Sequence, residues 1–150
     1  MPKFRNPELY QVLPIRTFFR GECGFEFPSG GQGFVVEDLD LLFRWYGPQY
    51  GQDADGRFRL AELKYESSTI RTAQRKTFGL MDRILQRGDP DGLRYDGFYL
   101  IQLYPNPADP DDIITANTRF VVNGEEMTTE QFRTWSLNPR STVPSYFANN

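Results

Sequence analysis

The sequence contains no histidine and a single cysteine, Cys23. The first absence removes the group that most often exchanges protons near neutral pH. Ser-His-Asp and Cys-His hydrolases, His-Glu-x-x-His metalloproteases and histidine-based nucleases are therefore excluded. The lone cysteine excludes an internal disulfide and any zinc site built on a cysteine cluster. Any catalysis must run on carboxylates, lysine, tyrosine, serine or a hard metal ion, and Mg²⁺ or Mn²⁺ suits oxygen ligands. Also missing is an apolar run long enough for a signal peptide or membrane span, so the expectation is a cytoplasmic protein without a membrane partner. The net charge of −3 argues against a general nucleic-acid coating protein, which gains from a basic surface.

What is present is a chain of 150 residues, the length of one domain, with 13 Phe, 8 Tyr and 2 Trp to fill its core. Pro and Gly cluster at 28–33, 47–56, 88–92 and 105–110, and read as loops within a single domain spanning 1–150. Residues Phe34 to Tyr46 are β-branched and aromatic without a breaker, as a strand requires. Alternation places Val36, Asp38, Asp40 and Leu42 on one of its faces. A second strand, Arg57 to Tyr65, follows across a hairpin and sets Phe58, Leu60, Glu62 and Lys64 on a common face.

The Ser67-Ser68-Thr69 cluster offers a cap for a helix over 70–87 that ends at Gly88. Tyr95 to Tyr104 predicts a further strand stopped by Pro105. Asn123-Gly124 predicts a hairpin, and Thr128-Thr129-Glu130-Gln131 a cap for a short helix through Trp135. The fold class is therefore α/β: a mixed β-sheet with flanking helices, ordered β-β-α-β and then a C-terminal hairpin and helix.

The chemistry gathers on the first two strands. Glu62 and Lys64, two residues apart in a strand, point the same way, and the preceding strand brings Asp38 and Asp40. Taken alone, Glu-x-Lys describes a solvated, salt-bridged strand face. The apolar surroundings of Leu60-Ala61-Glu62-Leu63-Lys64-Tyr65 instead argue for a cleft, because a buried charge needs a partner. In that reading Asp40 and Glu62 ligate Mg²⁺ or Mn²⁺, and Lys64 orients the attacking water and stabilises charge on a phosphodiester under hydrolysis. Arg71, Arg75 and Lys76 at the start of the helix, with Arg83 and Arg87 further on, could contact phosphates or equally form an ordinary solvated face.

Glu37-Asp38-Leu39-Asp40, then Glu62-Leu63-Lys64, then Gln74 within Thr72-Ala73-Gln74-Arg75-Lys76, resemble the PD-(D/E)xK nucleases, the restriction-endonuclease-like superfamily. The likeness spans about residues 34 to 104, that superfamily's β-β-α-β core, and departs from it in lacking a proline before the first acid. It implies a Mg²⁺-dependent deoxyribonuclease of phage or mobile-element kind. Asp40 is then the first metal ligand with Asp38 as its rival, Glu62 the second, Lys64 the catalytic lysine, and Gln74 a helix residue ordering the site. The expected partner is nucleic acid, DNA before RNA, and double-strand cutting with one site per chain points to a homodimer. The alternative is a catalytically silent nuclease-like scaffold whose aromatic C-terminal half (Phe120, Phe132, Trp135, Tyr146, Phe147) docks a protein.

Overall fold

A computed structural model describes residues 39–109 and 114–148. These belong to one compact unit, Leu39–Asn150. Its elements are β1 (Leu41–Trp45), a 3₁₀ turn (Pro48–Tyr50), β2 (Arg57–Tyr65), α1 (Thr72–Gly88), β3 (Tyr95–Tyr104), β4 (Arg119–Val122), β5 (Glu125–Thr128) and α2 (Thr129–Leu137). The protein is thus mixed α/β, with one five-stranded sheet in the order β1-β2-β3-β4-β5. β2 and β3 run parallel, joined through α1, and the other neighbours are antiparallel. No helix among the described residues is long and apolar enough to cross a membrane.

Side-chain alternation divides the core into two layers. Leu60, Phe98 and Leu100 turn to the α1 side and pack with Ile70 and Phe78, whereas Ala61, Tyr99, Ile101, Phe120 and Val122 turn to the other side and meet Trp135 of α2. The aromatic residues of the C-terminal half are consumed by this packing. Phe120 and Trp135 are buried, Phe132 stacks on Phe120 at 4.0 Å, and Tyr146 and Phe147 cover Phe98.

Several turns follow local chemistry. The Asn123-Gly124 turn has positive φ at both residues, as a two-residue hairpin of the primed type requires. α2 is capped by a reciprocal box in which the Thr128 hydroxyl accepts from the Gln131 N–H and the Gln131 side chain accepts from the Thr128 N–H. Gly56 has φ +76°, and a Cβ there would fall 2.0 Å from the Trp45 carbonyl oxygen, so the loop from β1 to β2 can close only on glycine.

Two expectations need correction. Within the described residues the first strand is confined to Leu41–Trp45, with Leu39 and Asp40 preceding it; the stretch Phe34 to Asp38 lies outside the described residues. The cap of α1 is Arg71, not the Ser67-Ser68-Thr69 cluster. Ser68 is instead engaged in a turn closing β2, its N–H donating to the Tyr65 carbonyl, while Gln74 reaches back to accept from the Arg71 N–H at 3.2 Å.

The strand β2 is fixed by Arg59, whose side chain is fully buried. Its guanidinium donates to Asp96 at 2.8 Å and to the carbonyls of Trp135 and Asn138 at 2.9 and 2.6 Å. Those carbonyls belong to the C-terminal end of α2, where a cation is favoured. The guanidinium also lies 4.1 Å from the Trp135 ring centroid and 4.4 Å from that of Trp45. Breaking a buried ion pair by removing one partner costs about 3–5 kcal/mol. Arg59→Ala is expected to lose stability of that order in urea unfolding; a loss under about 1 kcal/mol would show that the network carries little.

Candidate metal and phosphodiester site

The register of β1 on β2 pairs Leu41 with Ala61 and Leu42 with Leu60, and its continuation sets Asp40 opposite Glu62. Asp40 does not extend the strand ladder with its backbone. Its carboxylate Oδ2 instead accepts the Leu63 N–H at 2.9 Å, which ties the residue to β2 and leaves Oδ1 without a hydrogen bond to a described residue. Asp40 is exposed at the rim of the site.

Glu62 forms the floor, 3% exposed. Its Oε1 accepts from the Gln74 side-chain amide at 3.2 Å and faces the Lys64 ammonium at 3.3 Å. Its Oε2 is buried with no hydrogen-bond partner among the described residues. Burial pushes the Glu62 carboxyl above its ordinary range, the neighbouring negative Asp40 adds to the rise, and Lys64 opposes it.

Gln74, 5% exposed in the first turn of α1, closes the arrangement. Its amide donates to Glu62, while its carbonyl oxygen accepts from both Lys64 Nζ at 3.3 Å and the Arg71 N–H at 3.2 Å. One side chain therefore caps the helix and holds both the acid and the lysine. That fixes its amide orientation, since only this flip satisfies all three partners.

The structure brings Asp40, Glu62, Lys64 and Gln74 together. Asp38 lies outside the described residues. Arg71, Arg75 and Lys76 are exposed around the start of α1, and none forms a salt bridge with a described residue. Two features were not read from the sequence. One is the capping role of Gln74, for which the Gln three residues after Arg71 was the available signal. The other is the Leu63 N–H bond to the Asp40 carboxylate, for which strand alternation gave no signal.

Among the described residues no group of three or more His, Cys, Asp or Glu side chains could hold a metal. The site would offer a hard cation two carboxylates, Glu62 and Asp40, with Glu62 Oε2 and Asp40 Oδ1 not hydrogen-bonded to described residues. That is the number from which Mg²⁺ is often held when water and substrate phosphates complete its shell. A buried oxygen with no partner is costly, and a cation removes that cost.

No protein-family model matches the chain, and comparisons with curated proteins and with solved structures give no match either.

The raised Glu62 carboxyl has a consequence for stability. A group whose folded pKa lies above its unfolded value adds stability at low pH, and that contribution is lost as pH rises. Without metal, wild type should therefore lose stability relative to Glu62→Gln as pH rises above the ordinary glutamate range. Thermal melting of both proteins in chelator checks this: the gap in favour of Gln should widen between about pH 5 and pH 8. A gap that stays flat would mean that Lys64 and Gln74 compensate the charge fully, and one that narrows would mean that they favour the ionised carboxylate and contradict the raised value.

Proposed function

We propose that the protein is a metal-dependent nuclease that hydrolyses phosphodiester bonds, in DNA by preference, on a restriction-endonuclease-like core. The observation that carries this reading is the partnerless buried oxygen of Glu62, set beside a second carboxylate and a lysine. An inert salt-bridged strand face gains nothing from an empty buried acceptor. The likeness to the PD-(D/E)xK pattern in Asp40, Glu62-Leu63-Lys64 and Gln74 supports the same reading, as does the β-β-α-β order of the elements.

Asp40 and Glu62 would hold Mg²⁺ or Mn²⁺, which supplies Lewis-acid polarisation of the scissile phosphoryl group. Lys64, fixed by Glu62 and Gln74, presents its ammonium towards the reacting phosphate, where it orients the attacking water and balances charge gathering on the non-bridging oxygens. Water adds to phosphorus and gives up a proton to solvent, the bond from phosphorus to the departing sugar oxygen breaks, and that oxygen takes up a proton from solvent. Gln74 acts on the reaction through its two neighbours and is a positioning residue. Arg71, Arg75 and Lys76 neutralise phosphates flanking the scissile bond.

Cleavage of plasmid DNA with Mg²⁺ or Mn²⁺ tests the proposal. Glu62→Ala should abolish cutting, and Lys64→Ala should reduce it by about 10²-fold or more while retaining metal affinity. Glu62→Ala cutting as fast as wild type would refute the assignment of the site.

A further inference from the structure

The sheet face that carries Glu62 and Lys64 continues past α1 onto β3 and β4. Lys64 pairs with Gln102, Gln102 with Val121, and Tyr104 with Arg119. Alternation turns these side chains to the α1 side, since Leu100 packs there while Phe120 and Val122 pack on the other. α1 itself rests on Leu60, Phe98 and Leu100, and α2 lies against the opposite face, so no helix among the described residues covers this end. Gln102, Tyr104 and Val121 are accordingly half-buried, and Arg119 is exposed.

Tyr104 is set apart from the other rings that the strands present on this side. Phe58 stacks on Tyr95 at 5.4 Å and Phe98 on Phe78 at 4.9 Å, which makes them part of the core. Tyr104 meets no other ring among the described residues and is overlaid by the Arg119 guanidinium, 4.7 Å from its centroid. The Arg119 side chain is 52% exposed yet held in place, its Nη1 lying 2.7 Å from Glu126 Oε1. That ion pair cancels the charge locally, so the pair offers a flat polarisable surface more than a free cation. Phosphates call for uncancelled charge, whereas a nucleobase stacks on an aromatic ring or a guanidinium plane.

The pair is close to the site. Two residues along a strand span about 6.6 Å and neighbouring strands lie about 4.8 Å apart, which puts the Cα of Tyr104 about 8 Å from that of Lys64. Both side chains stand on the same face, so a strand cut at the Glu62–Lys64 centre has its neighbouring nucleotide over Tyr104 and Arg119.

We infer that Tyr104 and Arg119 form a stacking platform for an unpaired nucleobase beside the scissile phosphate, so that the site takes single-stranded nucleic acid or a frayed end before a continuous duplex. Inside a duplex both faces of a base are stacked on its neighbours, and the base reaches a protein surface of this kind only by leaving the stack. The choice of ligand rests on the nuclease reading, and the stacking itself is read without cleavage.

The test is binding of two dye-labelled oligonucleotides of about 12 nucleotides to the full chain in chelator, one a thymidine strand and the other the same backbone without bases. Anisotropy at about 50 mM salt should show the thymidine strand bound at least about fivefold more tightly than the abasic one. Tyr104→Leu/Arg119→Gln should bring that ratio to about one, and Tyr104→Phe, which keeps the ring, should preserve it. Tyr104→Leu alone should lower the ratio with the salt dependence unchanged, because no phosphate contact is lost. Leu and Gln keep most of the bulk of these part-exposed side chains, so the variants should melt with wild type.

A wild type that binds the two strands equally, or binds neither, overturns the inference. So does a ratio that persists in the double variant, and so does a tighter hold on a duplex of the same length than on the single strand. The nuclease reading is judged separately, by metal-dependent cleavage. Cleavage by wild type with the ratio unchanged in the double variant removes the platform alone. The expected ratio and its loss in the variant, without cleavage under any divalent cation, keep the platform and remove the nuclease.

Discussion

The geometry of the site depends on how β2 is held, and β2 is held by the Arg59 guanidinium. Taking a cation out of water costs several kcal/mol unless it is repaid by close partners. Arg59 is repaid by Asp96, two helix-end carbonyls and four aromatic rings. This one side chain joins β1, β2, β3 and the end of α2. The same strand, three and five residues from it on the opposite face and flanking Leu63, then presents Glu62 and Lys64 in a fixed register.

The two faces of β2 carry buried charge with opposite outcomes. On the α2 side every polar contact of Arg59 is completed, down to the Ser141 N–H that meets the second oxygen of Asp96 at 3.1 Å. On the α1 side Glu62 is completed at one oxygen only. A chain that satisfies its buried guanidinium so fully, and then leaves a carboxylate oxygen empty a few residues away, has the pattern expected where stability is traded for function. The raised Glu62 carboxyl is the electrostatic counterpart of that empty oxygen.

Much of this was legible in the sequence because it depends on short-range rules. Period-two alternation in Arg57 to Tyr65 set Leu60, Glu62 and Lys64 apart from Arg59 and Ala61, and Asn123-Gly124 and Thr128 to Gln131 marked a turn and a cap that the structure has. Arg59 was not legible as a structural hub, since its partners are 37 to 79 residues away. The cap of α1 was misread because Ser67 to Thr69 have the preferred side chains. A turn at the end of β2 claimed Ser68 first, leaving Gln74 to serve both the helix and the site. The irregular segment after α2 gave no sequence signal, yet it is fastened to β3 by the Tyr146 N–H on the Phe98 carbonyl at 2.7 Å and by Ser145 on the Phe98 N–H.

Direct titration of Mn²⁺ into wild type and Glu62→Gln, with free Mn²⁺ followed by electron paramagnetic resonance, addresses the central claim without any assumption about substrate. The isosteric change leaves an acceptor oxygen for Gln74 and Lys64 and puts an amide NH2, which cannot ligate a cation, in place of the empty oxygen, with loss of the carboxylate charge. The account predicts saturable Mn²⁺ uptake by wild type that is lost or at least about tenfold weaker in the variant. Equal uptake by the two proteins would place the metal elsewhere and contradict the assignment of Glu62 as its ligand.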